Sequence, residues 1–205
     1  MLTLHHLRIG RSIFTVWQLE ELGVEYDLKV YHRHPETMRA GEDLKKIHPL
    51  GKSPVIEDDK LILSESGAIT TYLIEQYGQH LSLVPPKNDV HAWATYNQWL
   101  HYPEGSVFSP LLIKMLLMRE QPPSPLLTTF SEKEIKLHLD HIANQLGDNE
   151  FILGDHFTGA DFGITYMLSM AQRLGALSEH TTLINYVARN KARPAYLAAI
   201  EKAIE

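Results

Sequence analysis

Apolar positions recur with two different periods along the chain, and the change of period divides it. Leu2 to Leu7 is a short apolar run that predicts a strand. Ser12 to Leu22 then carries Ile13, Val16, Trp17 and Leu22 at helical spacing, with Gly23 as the stop. Tyr26, Leu28 and Val30 alternate with Glu25, Asp27 and Lys29, the pattern of a half-buried strand. A polar, helical stretch runs to about Ile47. Pro54–Glu57 and Leu61–Leu63 flank Asp58-Asp59-Lys60, a hairpin signal, and Ser66 to Tyr77 reads as a helix ending at Gly78. The order β-α-β-α-β-β-α describes a small layered α/β domain over residues 1–78.

Residues 79–88 contain Pro85-Pro86 and read as a linker, and helical periodicity dominates after it. A long segment covers Asp89 to Arg119, with Pro103 and Pro110 placed to kink or break it. A loop over Gln121–Thr129 leads to a helix at Ser131–Leu146. Further helices fit Thr158–Leu174 and His180–Asn190, and Pro194 opens a last one ending near Ile204. The expected organisation is an α/β domain at 1–78, a linker at 79–88 and an all-α domain at 89–205.

Composition narrows the function. Nineteen basic residues against 25 acidic ones give a net charge of −6, which supplies no basic surplus for nucleic acid. No apolar run reaches the ~18 residues of a membrane span, and the first residues lack a signal-peptide stretch. These features predict a soluble, cytoplasmic protein. The absence of cysteine removes disulfides, thiolate metal sites and any mechanism built on a protein thiol. Of the 12 histidines, His5 and His6 should face opposite sides of a strand, while His138 and His141 sit three apart on a helix. Without a third ligand or an HExxH pattern they read as ordinary histidines, and no metal is expected.

Three corners carry candidate chemistry. In Gly10-Arg11-Ser12 the serine suits either an N-cap or a hydrogen bond to an anion at the positive end of the helix. In Gly51-Lys52-Ser53-Pro54 a proline enters a strand. A cis Ser53-Pro54 bond would turn the Ser53 main chain outward to pair with an extended peptide, with Lys52 beside it for a carboxylate; an ordinary trans proline at a strand start fits equally. In Leu63 to Ile69 a strand runs straight into a helix. There Ser66 is a cap, or Glu65 receives an amine while Ser66 and the helix N-terminus receive a carboxylate. All three corners fall at one end of the same small domain.

Taken together, the strand-turn-helix Leu4–Gly23, the stretch Pro49–Val55 and the stretch Glu65–Tyr77 make the whole chain resemble a cytosolic glutathione transferase. That resemblance implies a thioredoxin-like domain followed by a helical bundle domain. It implies that Ser53, before a cis Pro54, pairs with the cysteinyl backbone of glutathione, that Glu65 and Ser66 hold the γ-glutamyl end, and that Lys52 meets the glycyl carboxylate. Gly154 to Asp161 resembles the family's folding signature, with Thr158 and Asp161 as a capping box and Phe157 in staple position. His101-Tyr102-Pro103-Glu104-Gly105-Ser106 resembles a bacterial and fungal, serine-type-like group. The chain departs from the family at the activating residue. No tyrosine stands between Leu4 and Ser12, and Gly10-Arg11-Ser12 replaces Ser-Arg-Ser, so Ser12 is the remaining hydroxyl and Arg11 a possible electrostatic helper.

The implied reaction uses glutathione as co-substrate. Lowering a free thiol by two pKa units takes about 2.7 kcal/mol. A Ser12 hydrogen bond to the anion supplies about 1.5–3 kcal/mol and the helix dipole about 0.3–1 kcal/mol. The thiolate would attack a small hydrophobic electrophile against Tyr96, Trp99, Tyr102, Phe108 and Met115, a stripe that also suits domain packing. Alternatives are a noncatalytic binding or assembly module of the same fold and a glutathione-dependent peroxidase or disulfide reductase. The resemblance further implies a homodimer, with neither nucleic acid nor membrane as partner.

Overall fold

β1 (Thr3–Leu7) is enclosed on both faces, with Leu4 and His6 fully buried on one side and His5 and Leu7 nearly so on the other. A strand buried on both faces needs neighbours on both edges and cover above and below. β1 pairs in parallel with β2 (Asp27–Tyr31) and antiparallel with β3 (Val55–Asp58), which pairs antiparallel with β4 (Leu61–Ser64). The sheet order is β2-β1-β3-β4. Three helices intervene: α1 (Ser12–Leu22), α2 (Glu42–Ile47) and α3 (Ser66–Tyr77). This is the thioredoxin-like layered unit expected from the residue pattern, in the computed structural model that describes residues 1–204.

α1 is buried over most of its surface, from Ser12 through Leu19 and again at Leu22. Gly23 ends it in the left-handed region (φ 65°), its N–H bonded to the Glu20 and Leu19 carbonyls. Gly78, which follows α3, has an ordinary φ of −99° and is needed for space: a Cβ there would lie 2.8 Å from Leu22 Cδ2.

The chain divides into two compact units, Met1–Leu81 with the segment from Lys191 onward, and Ser82–Asn190. This differs from the expected boundary, which gave all of 89–205 to the helical part. The reason is the last helix, α9 (Pro194–Ala203), which packs along α1. Tyr196 meets the Trp17 ring edge-on at 5.2 Å, Arg193 bonds Glu21, and Lys202 bonds Glu20 at 2.9 Å while lying 4.0 Å over the Tyr26 ring.

The second unit is helical: α4 (Val90–Tyr102), a π-helical turn at Pro103–Val107, α5 (Phe108–Leu117), α6 (Pro125–Leu146), α7 (Gly159–Arg173) and α8 (Thr181–Lys191), the last residue of α8 falling at the boundary of the units. Of the two prolines expected to interrupt the long helix, only Pro103 does so. Pro110 lies at the third position of α5 without interrupting it. Close packing fixes the π turn, since a Cβ on Gly163 of α7 would lie 3.0 Å from Pro103 Cγ. α6 starts six residues before the expected Ser131: Ser124 caps it by accepting the Leu127 N–H, and Pro125 occupies the first helical position, so that proline is a helix start rather than loop.

α7 is anchored by the expected capping box. The Asp161 carboxylate, fully buried, accepts from the Thr158 N–H at 2.8 Å, the Thr158 hydroxyl at 3.0 Å, the Ile152 N–H at 2.9 Å and the Tyr186 hydroxyl at 2.7 Å. Phe157 packs edge-on against Phe162 at 4.9 Å, the staple contact before and after the cap. Asp161→Ala strands these buried donors, each worth about 1–3 kcal/mol when left unmade. The variant is expected to lose at least 3 kcal/mol, roughly 6–12 °C of Tm for a chain of this size, with Asp161→Asn losing less. Calorimetry checks this, and a fall of under about 2 °C for the alanine variant would refute the anchor.

Candidate functional site

The sheet register brings the three corners together. His5 lies opposite Val55, and Val55 opposite Ser64, so the end of β1, the start of β3 and the end of β4 share one end of the sheet. Gly10-Arg11-Ser12, Ser53-Pro54 and Glu65-Ser66 leave the sheet there. A single main-chain donor ties two of them, because the Leu7 N–H is directed at both the Ser12 Oγ (3.2 Å) and the Ser53 Oγ (3.1 Å). The third is linked through α1: Gln18 donates to Thr70 Oγ1 at 2.6 Å, and Thr70 donates to the Ser66 carbonyl at 2.8 Å.

At the first corner the hydroxyl behaves differently from either expectation. Ser12 is fully buried, and its Oγ lies 2.8 Å from His6 Nδ1 and donates to the Leu7 carbonyl at 3.3 Å. Arg11, not Ser12, is the N-cap residue, and its side chain makes no capping bond. Ser12 therefore clasps the helix start to β1 with its hydroxyl turned inward, away from the open position that the sequence suggested. The first amides of α1 are left without a side-chain cap or an acidic neighbour, and Arg11 is half-exposed beside them.

At the second corner the Ser53–Pro54 bond is cis. The Ser53 hydroxyl donates to the His5 carbonyl at 2.7 Å, which pins the turn to β1 and leaves the Ser53 main chain ahead of the β3 ladder, whose pairing begins at Val55. Lys52 is exposed next to it. Burial of its amine, followed by repulsion from Arg39, Arg11 and Arg33, holds the Lys52 pKa below the ordinary 10.5. Three arginines within Coulomb range of Lys52 favour an anion as its neighbour.

At the third corner Glu65 is exposed and held at φ 71°, ψ 116°, a left-handed conformation that a non-glycine residue adopts only under constraint from its surroundings. Glu65 is the N-cap residue of α3, without a side-chain capping bond, and Ser66 is the first helical residue, 8% exposed. As in α1, no acidic residue stands in the first turn. α4, α6 and α7 by contrast are capped by Asp89, Ser124 and the Thr158–Asp161 box. The two helix N-termini at this end of the sheet are thus able to receive an anion, lacking both a side-chain cap and an acidic first turn, as α9 (Pro194–Ala203) also does.

Of the histidines, His5 and His6 are buried in the fold. His5 lies 2.6 Å from Glu57 Oε1 and 2.8 Å from the Tyr31 hydroxyl, whereas His6 faces Ser12, so the pair does point to opposite sides of the sheet. His141 stacks on Trp99 at 5.2 Å, and His138 Nδ1 is 2.6 Å from the Tyr102 hydroxyl. Burial lowers the His138 pKa, with Glu134 opposing. Among the described residues no three carboxylates or imidazoles are grouped to hold a metal, and no helix is long and apolar enough to cross a membrane.

The expected electrophile stripe separates into two kinds of residue. Tyr96 and Trp99 are each 1% exposed inside the core of the helical unit, so they serve packing; Tyr102, Phe108 and Met115 are half-buried against that core. The periodicity that nominated all five could not separate the inner side of α4 and α5 from their flanks. What sequence reasoning missed altogether is Arg33, which donates to the Arg8, Ile9 and Met38 carbonyls around the first corner. Its only sequence signal is a basic residue just after a strand, which is too common to single out.

The chain thus joins a thioredoxin-like unit, with a cis-proline turn at one end of its sheet, to a helical unit that follows it in sequence. The chain matches the family models for the glutathione S-transferase N-terminal domain over residues 1–75 and the C-terminal domain over residues 126–203. It is 35% identical to glutathione S-transferase 3 of Schizosaccharomyces pombe over 84% of this chain and 75% of that one. It is 27% identical to glutathione S-transferase 1 of Saccharomyces cerevisiae over 99% of this chain and 95% of that one. The crystal structure of a glutathione S-transferase from Actinobacillus pleuropneumoniae superposes with a TM-score of 0.90 at 32% identity, covering 99% of this chain and 93% of that chain. The chain belongs to the glutathione S-transferase family.

Ser12→Ala removes the acceptor and donor that fasten α1 to β1. It is expected to cost about 1–3 kcal/mol, a fall of roughly 2–10 °C in Tm measured calorimetrically. An unchanged midpoint would show that the hydroxyl does not hold this corner.

Proposed function

We propose that this glutathione transferase grips glutathione across the three corners at one end of its sheet and delivers the thiolate to a hydrophobic electrophile. The observation that carries the reading is the Leu7 N–H shared between Ser12 and Ser53, since it supports one continuous binding site rather than three separate turns. The Ser53 main chain pairs with the cysteinyl residue of the tripeptide. Lys52 neutralises the glycyl carboxylate, and that anion in turn relieves the repulsion Lys52 suffers from Arg39, Arg11 and Arg33. Glu65 accepts from the γ-glutamyl ammonium, while Ser66 and the first amides of α3 receive its carboxylate.

This pose puts the sulfur at the N-terminus of α1. With the Ser12 hydroxyl turned inward, the groups that favour the thiolate are the main-chain amides at the helix start and the Arg11 guanidinium. Ser12 serves as the clasp that keeps those amides in place. The thiolate sulfur donates an electron pair to an electrophilic carbon, an S–C bond forms, and the leaving group departs with the pair of the bond that breaks. Within the helical unit, Tyr102, Phe108 and Met115 leave apolar surface only half-covered, with the Tyr102 hydroxyl held by His138. The family commonly works as a two-fold dimer, and we assign that state here.

Glutathione at about 100 times its Kd is expected to stabilise the fold by about 2.7 kcal/mol, read as a rise in Tm. Millimolar glutathione without any shift would remove the ligand. Glu65→Ala should weaken binding roughly 10- to 100-fold by calorimetric titration, from the loss of a charge-assisted bond, and an unchanged Kd would refute that contact. Turnover of 1-chloro-2,4-dinitrobenzene checks the transfer step; activity confined to hydroperoxides or disulfides would make the protein a glutathione-dependent reductase instead. A dimer mass is expected by light scattering at micromolar concentration, and a monomer would overturn that assignment.

A further inference from the structure

His48 fastens two corners at once, one through its main chain and the other through its ring. It closes α2: its N–H donates to the Leu44 carbonyl at 3.1 Å, and its own carbonyl accepts the Gly51 N–H at 2.9 Å. That second bond shapes the turn leading directly into Lys52, Ser53 and the cis Pro54. The ring reaches the other way, with Nε2 3.3 Å from the Ser64 Oγ. Ser64 ends β4 opposite Val55, and the next residue is Glu65, held at φ 71°. One residue thus ties the position before Glu65 to the turn before Lys52.

The ring is held at a cost. Its Nδ1 is buried and has no hydrogen-bond partner among the described residues. Buried polar atoms are nearly always paired, so one left unpaired calls for a reason. A bare ring nitrogen is a less costly orphan than a buried N–H, which puts the proton on Nε2, as donor to Ser64. Glu65 carries a second cost, since a non-glycine residue in the left-handed region persists only where its surroundings over-determine it. Both costs serve relative placement. The β3–β4 ladder already joins the two corners at Val55 and Ser64, and a pair joined at one place can still twist about it. The ring adds a second strut, so that Ser64, and Glu65 with it, is fixed against the chain that carries Lys52.

We propose that His48 is a specificity-determining positioning residue, which locks the Lys52 and Glu65 corners at one separation and so favours the full tripeptide over either of its dipeptide halves. The inference rests on the glutathione-binding reading above, in which Lys52 meets the glycyl carboxylate and Glu65 the γ-glutamyl ammonium. His48 acts through Ser64 and through the turn at residues 48–51, and no contact with the ligand is assigned to it. The two ends of the tripeptide bind as linked modules, whose joint affinity depends on how well their span matches the spacing of the site. A spacing fixed in advance removes an ordering cost that a spanning ligand would otherwise meet on binding. A dipeptide that fills one corner gains nothing from it.

The test uses the full chain as wild type, His48→Ala, which removes the strut, and His48→Gln, whose amide keeps a donor near the position of Nε2. Glutathione binding to the wild type is measured first. If there is none, the ligand assignment falls and this inference with it. With binding present, Kd is measured calorimetrically for glutathione, γ-glutamylcysteine and cysteinylglycine. His48→Ala should weaken glutathione roughly 3- to 10-fold, the worth of one hydrogen bond, while each dipeptide changes by less than about 2-fold. His48→Gln should recover most of the loss. A dipeptide weakened as much as glutathione would mean that His48 only supports one corner, which overturns the inference and leaves the ligand assignment standing. Unchanged glutathione binding in His48→Ala, or no recovery in His48→Gln, overturns it too. Should His48→Ala not fold, the wild type labelled with 15N-histidine decides. The Nε2 resonance absent from His48→Gln should move when either dipeptide is added, and a ring that responds to one of them alone, or to neither, overturns the proposal.

Discussion

The N–H of Leu7, the last residue of the central strand, is shared between the hydroxyls of Ser12 and Ser53. That sharing welds the start of the first helix to the cis-proline turn, two segments more than 40 residues apart in the chain. Around it the hydroxyls form a closed set, with Ser53 donating to the His5 carbonyl, and Ser12 to the Leu7 carbonyl beside His6. Every one of these groups is buried or partly so, where unmade bonds are costly, and the corner geometry is correspondingly stiff.

A stiff corner allows the rest of the site to be electrostatically unfavourable until a ligand arrives. α1 and α3 begin without side-chain caps or acidic residues, and Lys52 is crowded by arginines, so positive potential collects at one end of the sheet. The main chain is strained there as well, at Ile9, Met38 and Glu65. Burial elsewhere in the unit supports these costs: α1 is almost wholly enclosed, and α9 returns to pack on it through Tyr196, Arg193 and Lys202. On the reading proposed above, a peptide with two carboxylates, an ammonium and an ionisable thiol would offset each unfavourable feature in turn, which is the physical sense of a preorganised site.

The helical unit follows a different logic. Its organising feature is the buried Asp161, which unites the α7 cap, the Ile152 loop and Tyr186 of α8. Its surface chemistry is aromatic and soft, with Tyr102 tied to His138 and Phe108 and Met115 only half-covered. Such a surface can accept apolar partners of many shapes, whereas the site proposed at the end of the sheet would discriminate by charge and main-chain pairing.

Much of this was decided locally and is legible residue by residue. Strand alternation, helix periods, Gly23 as a left-handed stop, and the Thr158–Asp161 box with its Phe157 staple depend on neighbours a few positions away, so the linear order carries them. The convergence of the three corners was foreseeable because strand order puts those ends on one side. The remainder depends on residues distant in sequence. Which way the Ser12 hydroxyl turns is settled by His6 and by a shared donor; whether Tyr96 and Trp99 face the interior is settled by the helices that close over them. α9 joins the first unit because Trp17 and Glu21 offer it a face, and a Cβ at Gly10 would meet the Leu7 carbonyl oxygen and the Arg33 guanidinium, each at 2.9 Å. Local propensity specifies the pieces, and the burial of polar groups, which needs partners from across the fold, determines what each piece does.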